Sequence, residues 1–576
     1  MDCPKVFNDP VHSSIQMPLY CQWIIDTPQF QRLRYIKQLG CTCYVFPGAV
    51  HTRFDHSLGV SHLAGKLATT LQRHEPSIQT NEIACVEIAG LCHDLGHGPF
   101  SHAFENIIPP DENGRKWRHE EQSVLVFEYL IEKNKLKKKM QEFGIYQQEL
   151  EFICELILGR SRQSDQKLIR ENKFYLYQIV NNSVNGVDVD KWDYFARDAL
   201  FLGMKSAFDF QRIIPFVRVY DIQRRGGVMR RELCFRDKVS SDLNHMFLTR
   251  RRLHYASYQH RVSNIIAIML RDALFAASEH LKFVGRNGTE YNLLECVKDP
   301  EAFCQVNDGV IHEIMRSRSS EKGMVKAREI LDRIHNRQLY QCIVEIQHAA
   351  EVLRTIDPAD IKKCVVADDD EDSLSSDEKI WRSENLEIAV SHFDYGQGNE
   401  NPLLHIPFYK KSQENSKVKA RFLQEDKLPA DLPQQFEDVT LRIFSKVPGL
   451  KRSVLKQATN YFYASARRLF RRREIPLTPL KHFSLSNSPN HSPPPSLPVG
   501  AVSPIPSLTP TMSLKSGDSS AEDRVGSSDS RSSPAAEMDP KSDSDQNGAA
   551  AAGSLESGEP EASVTVVKKL DFDEDS

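Results

Sequence analysis

Up to about residue 476 the chain repeatedly places apolar side chains three and four apart, the spacing of helices that bury one face. The stretches Glu82 to Cys92 (EIACVEIAGLC) and Glu149 to Leu158 (ELEFICELIL) show it most clearly. Residues 1 to about 340 are therefore predicted to be predominantly helical. Between about Asn385 and Phe444 the pattern shifts to short apolar runs, LEIAV and LLHIPFY, with Pro, Gly and Asn between them, which predicts strands. Beyond 476, Ser, Pro, Gly, Ala and Asp dominate down to the acidic end DFDEDS. Such a segment cannot bury enough apolar surface to offset its ordering entropy and is predicted to be disordered. The expected fold is mainly α: a helical core over 1–340, a smaller mixed α/β lobe over 341–475, and a Ser/Pro-rich tail over 476–576. Asp368 to Asp377 (DDDEDSLSSD) is expected to form an exposed acidic loop, and no repeat of solenoid length is present.

Composition narrows the class only modestly. The 576 residues are 40% apolar and 26% charged with a net charge of -4, so a polyanion would have to be held by local patches rather than by the overall charge. Of the twelve cysteines only Cys41 and Cys43 lie close together, and no C-x-x-C pair occurs, which excludes zinc ribbons and a disulfide framework. The opening residues MDCPKVFNDP lack the apolar run of a secretory signal, and nowhere is there a run of about eighteen apolar residues of the kind that spans a membrane. A soluble, intracellular protein is expected, with no membrane partner.

The chemistry concentrates in Leu91 to His102, LCHDLGHGPFSH. His93 and Asp94 stand side by side at the end of an apolar helical run, where Gly96 and Gly98 would supply the backbone freedom to leave the helix, and His97 and His102 follow. His56, in HTRFDHSLGV, and Asp190, in NGVDVDKWDYFARD, complete a candidate set of two imidazoles and two carboxylates. That mixture suits iron, manganese, zinc or nickel better than calcium or a thiolate-bound metal. His51 and His62 are read as structural or surface residues, and Asp188 and Asp193 as helix caps.

The chain resembles the HD-domain phosphohydrolases and, within them, the SAM- and HD-domain-containing deoxynucleoside triphosphate triphosphohydrolases. The resemblance rests on KVFNDP (Lys5 to Pro10), IIDTPQFQRLRYIKQLG (Ile24 to Gly40), AGLCHDLGHGPFSH (Ala89 to His102) and DVDKWDYFARD (Asp188 to Asp198), and extends more loosely to about residue 475. It implies that His56, His93, Asp94 and Asp190 hold a catalytic divalent metal (Fe, Zn or Mn), with Mg accompanying the nucleotide. It places His97, Glu105 and His119 around the scissile α-phosphate and His102 where it protonates the departing 5′ oxygen, Glu105 standing where the family has Asp. Arg53, Lys191 and Tyr194 would hold the triphosphate of a dNTP substrate; Gln38, Leu39 and Asp198 would surround the sugar, with Tyr258 and Gln259 near sugar and base. The products would be a deoxynucleoside and inorganic triphosphate.

The resemblance also implies a nucleotide-dependent homotetramer activated by GTP or dGTP together with a dNTP. The matching guanine-site residues are Lys5, Val6, Asn8, Asp26, Gln31, Arg34 and Arg337. Those for the second site are Arg212, Phe216, Arg236, Lys238, Asp242, Arg250, His260 and Arg261, with Asp242 replacing Asn and Arg261 replacing Lys. The family's SAM domain has no counterpart ahead of Lys5, so Lys5 to Asn8 are expected close to a free N-terminus. Thr478, in TPLK, matches a proline-directed phosphorylation pattern, with a cyclin-dependent kinase as partner, and RRLF at Arg467 to Phe470 resembles a cyclin-docking sequence. The RRLFRRR run is a candidate nuclear-import signal, and a nuclear location, with cytoplasm second, is expected. The implied roles are dNTP pool control, antiviral defence in innate immunity, and DNA replication and repair.

Two rival readings exist. An HD phosphodiesterase acting on another phosphoester would use the same metal set, but Arg53, Lys191 and Tyr194 favour a triphosphate. A non-catalytic protein that binds single-stranded nucleic acid would account for the basic runs at Arg250 to Arg252 and Arg467 to Arg473 but not for a complete ligand set.

Overall fold

The computed structural model describes residues 4–162, 167–224, 227, 229–346, 385–413, 420–425, 428, 435–460 and 462. The acidic run at 368–377, the RRLFRRR run, Thr478 and the Ser/Pro-rich tail lie outside the described residues.

Eight helices of twelve residues or more carry the described architecture: α1 (Arg53–Gln72), α2 (Thr80–Cys92), α3 (His119–Lys133), α4 (Gln147–Leu158), α5 (Val189–Phe201), α6 (Ser240–Leu253), α7 (Arg261–Ala277) and α8 (Lys322–His335). Helix α2 is apolar nearly all round, and Ile83, Ala84, Val86, Ile88, Ala89, Leu91 and Cys92 are all buried. It consequently lies between α1 and α4 rather than on the surface. Its start is tied by the Gln79 backbone N–H, which donates to Glu82 at 2.9 Å. Helix α1 also packs on α5, and Gly59 makes that approach feasible: a Cβ there would stand 1.9 Å from Asp193 Oδ1. Helices α7 and α8 form a second pair.

The predicted α-rich character holds, and so do strands in 385–444. The N-terminal 340 residues also contain three hairpins that helical periodicity does not announce: β1 (Lys5–Asp9) with β2 (Ser13–Met17), β3 (Val217–Gln223) with β4 (Met229–Arg236), and β5 (Lys282–Val284) with β6 (Glu290–Asn292). The C-terminal strands are β7 (Gln341–Ile346), β8 (Leu386–Phe393), β9 (Pro407–Tyr409), β10 (Arg421–Phe422) and β11 (Asp438–Ser445). Strand β11 is buried throughout and runs antiparallel to both β7 and β8 as the centre of one sheet. Strand β9 pairs in parallel with β4, placing Phe408 beside Phe235, so a second sheet runs β10-β9-β4-β3 across the 340 position. Packing is continuous there: the described residues belong to one compact unit. The ten described cysteines are free thiols, and no described helix is long and apolar enough to cross a membrane.

The turn after α2 departs from the expected use of its glycines. The left-handed backbone falls on Phe100 (φ 59°) and Ser101 (φ 56°), not on Gly96 or Gly98. Gly96 is required for space, because a Cβ would meet the His119 carbonyl oxygen at 2.1 Å and the Ser123 nitrogen at 2.3 Å. Both are backbone atoms of α3 and cannot swing aside. Gly96→Ala is expected to destabilise the fold by about 1–3 kcal/mol, read as a lowered Tm in thermal unfolding; an unchanged Tm would refute this packing.

Candidate active site

Helix α2 ends at Cys92, so His93 occupies its C-cap and Asp94 follows on the turn. Helix α1 supplies His56 from its first turn, and α5 supplies Asp190 from its own first turn, begun by Asp188, whose side chain accepts from the Lys191 N–H at 3.0 Å. The three segments converge. His56 Nε2 lies 3.0 Å from Asp190 Oδ1 and 3.6 Å from Asp94 Oδ2, while His93 Nε2 lies 3.3 Å from Asp190 Oδ1 and 3.4 Å from Asp94 Oδ1. The outer nitrogens are committed elsewhere: His56 Nδ1 to Asp193 Oδ2 at 2.8 Å and His93 Nδ1 to the Gly90 carbonyl at 2.8 Å. Both rings therefore turn Nε2 into the site, the arrangement in which an outer carboxylate or carbonyl orients a metal-binding imidazole. His93 Nε2 is buried with no hydrogen-bond partner among the described residues. His56, His93 and Asp190 form a group able to hold a divalent metal ion, with Asp94 against them.

Electrostatics agree with that use. Burial alone would lower the His56 pKa, but hydrogen bonding to Asp190 and then Asp193 holds it up at about 10. Burial would raise Asp94, yet the Arg53 guanidinium, with Nη1 2.7 Å from Oδ2, keeps its carboxyl far below the usual range. An excess of carboxylate in a largely enclosed site calls for positive charge, which a cation meets.

A second group adjoins the first. His97 stacks on His119 with ring centroids 4.0 Å apart, and its Nε2 lies 3.3 Å from Asp94 Oδ1. Glu105 Oε1 is 2.8 Å from His102 Nδ1 and 2.9 Å from His119 Nδ1. Burial, then Arg53 and His119, push His97 well below the ordinary imidazole pKa, so its ring is neutral. The His119 pKa is raised, Glu105 beside its ring outweighing burial. The His102 side chain, by contrast, is 68% exposed at the mouth.

These groups border a cavity of about 740 Å³. Gln38, Leu39, Arg53, Lys191, Tyr194, Asp198, Tyr258 and Gln259, the residues expected to hold substrate, all line it. Asp198 accepts from Tyr258 and lies 2.7 Å from His51 Nε2, so His51 is a buried support for the wall. His62 faces a different cavity, on the other side of α1. Arg250, grouped by sequence with the second nucleotide site, instead lines this cavity and donates to the Tyr194 hydroxyl at 3.3 Å. Arg212 and Asp242 pair with each other at 3.0 Å.

The other expected nucleotide-site residues fall into separate patches. Lys5 pairs with Asp26 at 2.8 Å, Val6 and Asn8 are exposed on β1, and Arg34 bonds Gln31 at 2.8 Å while covering the Phe54 ring. Arg337 donates to the Tyr44 carbonyl. Lys238 and Arg236 stand over Phe216 at 3.6 and 5.5 Å. His260 lies edge-on to Phe46, and Arg261 is 3.8 Å from Glu345.

Several contributors escaped the sequence reading. Asp193 is not a cap but a fully buried acceptor of His12, His56 and Arg197. Arg32 donates to the carbonyls of Leu95, His97 and Val306 and so pins the turn carrying Asp94 and His97. Asp308 accepts from the Lys37 and Phe100 backbones. Ser391 and His392 reach the cavity from β8. The one signal available was a charge set inside an apolar run, as Arg32 is in FQRLRYI.

Comparison with known proteins places this geometry. Residues 53–198 match the HD domain model. The chain is 40% identical over 473 residues to the human deoxynucleoside triphosphate triphosphohydrolase SAMHD1, an alignment covering 80% of this chain and 73% of the relative. The Xenopus laevis protein of that name is 39% identical over 476 residues, with coverage of 80% and 73%. The Dictyostelium discoideum SAMHD1 homologue is 33% identical over 444 residues, covering 77% of each chain.

Asp193→Asn removes the charge that orients His56 while keeping the shape. It is expected to weaken metal affinity about 10–100-fold, measured by competition with a chelator; unchanged affinity would show that His56 needs no such support.

Proposed function

Since the chain belongs to the SAMHD1 family of deoxynucleoside triphosphate triphosphohydrolases, we propose that its cavity cleaves a dNTP into a deoxynucleoside and inorganic triphosphate. The observation that carries this reading is one cavity with a metal-type group on one side, a histidine-glutamate group on the other, and Arg53, Lys191 and Arg250 on its walls. His56, His93, Asp94 and Asp190 would hold a divalent ion (Fe, Zn or Mn), which when bound would supply Lewis acidity and lower the pKa of water. Arg53, Lys191 and Arg250, with Mg accompanying the nucleotide, take the charge of the triphosphate. His102, with Nδ1 bonded to Glu105, keeps Nε2 free to protonate the departing 5′ oxygen, and the Glu105 carboxylate stabilises the imidazolium before transfer. Glu105 is one methylene longer than the family's Asp, and its carboxylate still reaches both His102 and His119. The Tyr258–Asp198–His51 chain forms a rigid wall against which Gln38 and Leu39 would sense the sugar.

The exposed Lys5, Asp26 and Arg34, and the half-buried Phe216 and Arg236 beside the exposed Lys238, support nucleotide-dependent assembly into a homotetramer, with GTP or dGTP and a dNTP as activators. Roles in dNTP pool control, antiviral defence and DNA repair follow from the family reading. Incubation with dGTP, and with dATP plus GTP, followed by ion-exchange separation, is expected to give deoxynucleoside and intact triphosphate. His93→Ala and Asp94→Ala should each abolish the products. Deoxynucleoside monophosphate plus pyrophosphate would overturn the assignment in favour of a different bond cleavage.

A further inference from the structure

A second cavity, of about 470 Å³, lies across α1 from the one described above. Its longest wall is one face of α1, where Ser61 and His62, Gly65 and Lys66, and Thr69 and Thr70 recur at four-residue steps, and Arg73 caps the helix. The stripe is not needed for packing, since Leu63, Ala64, Leu67, Ala68 and Leu71 bury the rest of the helix. A second wall carries Gln211, and Lys66 Nζ reaches it, donating to Gln211 Oε1 at 2.7 Å.

Charge on these walls is unbalanced. Lys66 and Arg73 are both exposed, and neither has an ion pair among the described residues. The one carboxyl on the wall, Glu87, comes from α2 and lies against Gly65, where a Cβ would stand 1.9 Å from Oε1. Its Oε2 accepts from the Tyr20 hydroxyl, and burial pushes its pKa up to about 7. Glu87 is therefore partly protonated near neutral pH and does not cancel two cations. Burial, then His12 and Lys66, lower His62 to about 4, so its ring is neutral and has an N–H to offer.

We propose that this cavity binds a free inorganic oligophosphate, of which triphosphate is the type. Lys66 and Arg73 are seven residues apart, about 10 Å along the helix axis, so their charges suit an extended polyanion better than a single phosphate. The hydroxyl of Thr69 and the amides of Gln16 and Gln211 supply donors for the other oxygens. No Phe, Tyr or Trp side chain lines the cavity, so nothing is placed to stack a nucleobase. Triphosphate is also a product of the hydrolysis proposed above; that connection rests on the proposed function, while the binding stands without it.

The test is acetylation of lysines in full-length native protein by an N-hydroxysuccinimide ester, with each site quantified by peptide mass spectrometry. Lys66 acetylation should fall about tenfold when inorganic triphosphate reaches about ten times its Kd, while exposed Lys326 on α8 reacts unchanged. Arg73→Glu and Thr69→Glu, both at exposed positions, should each remove the protection. Equal Lys66 acetylation with and without triphosphate would overturn the site. So would protection that survives both substitutions, or that sodium chloride of the same ionic strength reproduces. In His93→Ala protein, dATP should protect Lys66 less than triphosphate does; equal or better protection by dATP would overturn the assignment to the free anion. Protection is read without turnover, so an absence of dNTP hydrolysis would count against the proposed function alone and leave this site decided by Lys66.

Discussion

The arrangement of the cavity depends on a charge buried away from water. Asp193 is fully enclosed between α1 and α5, where Oδ1 meets His12 Nε2 at 2.6 Å and Arg197 Nη2 at 3.0 Å, and Oδ2 meets His56 Nδ1 and Arg197 Nε, each at 2.8 Å. Arg197 extends the network to Asp9 in the N-terminal hairpin at 2.8 Å. Taking these charges out of water is costly, and the network is tolerated because both Asp193 oxygens and all three Arg197 nitrogens are paired; deleting one partner typically costs about 3–5 kcal/mol. In return, α1, α5 and the β1–β2 hairpin are held in one register, and His56 can face the site only through Nε2. Gly59 is what lets the helices close on this network.

Around that frame the two histidine groups lie side by side but in different electrostatic states. The His56 ring sits among carboxylates, and burial is outweighed there. His97 is buried next to Arg53 and is neutral. Asp94 divides them, with one oxygen toward His93 and His97 and the other toward Arg53 and His56. One side of the cavity is therefore suited to bind a cation and the other to move a proton, although both are built from the same residue types.

The C-terminal strands belong to the same construction. Strand β9 extends the sheet of β3 and β4, and β8 delivers Ser391 and His392 to the cavity wall. The Asp394 carbonyl accepts from Arg250 Nε at 3.1 Å, which helps hold that guanidinium against Tyr194. A segment that looks in sequence like an attached lobe thus completes the pocket.

Local chemistry was legible along the chain because it is written over short distances. The apolar run ending at Cys92, the His93–Asp94 pair and the cap at Asp188 each follow from neighbours a turn or less away, so the helices and the ligand types could be read directly. His56 and Asp190 were found by motif, but that both reach the same point as His93 depends on how α1, α2 and α5 pack. The roles of Asp193, Arg32 and Asp308 were decided only by the tertiary structure, since each acts on partners as much as 274 residues away in sequence. The same is true of Gly96, where the constraint is the α3 backbone rather than its own φ, and of Arg250, whose helix face, not its run of neighbouring arginines, turns it into the cavity. Sequence specifies which groups are available within a turn; which of them meet, and which are dehydrated together, is set by packing between segments that no short pattern connects.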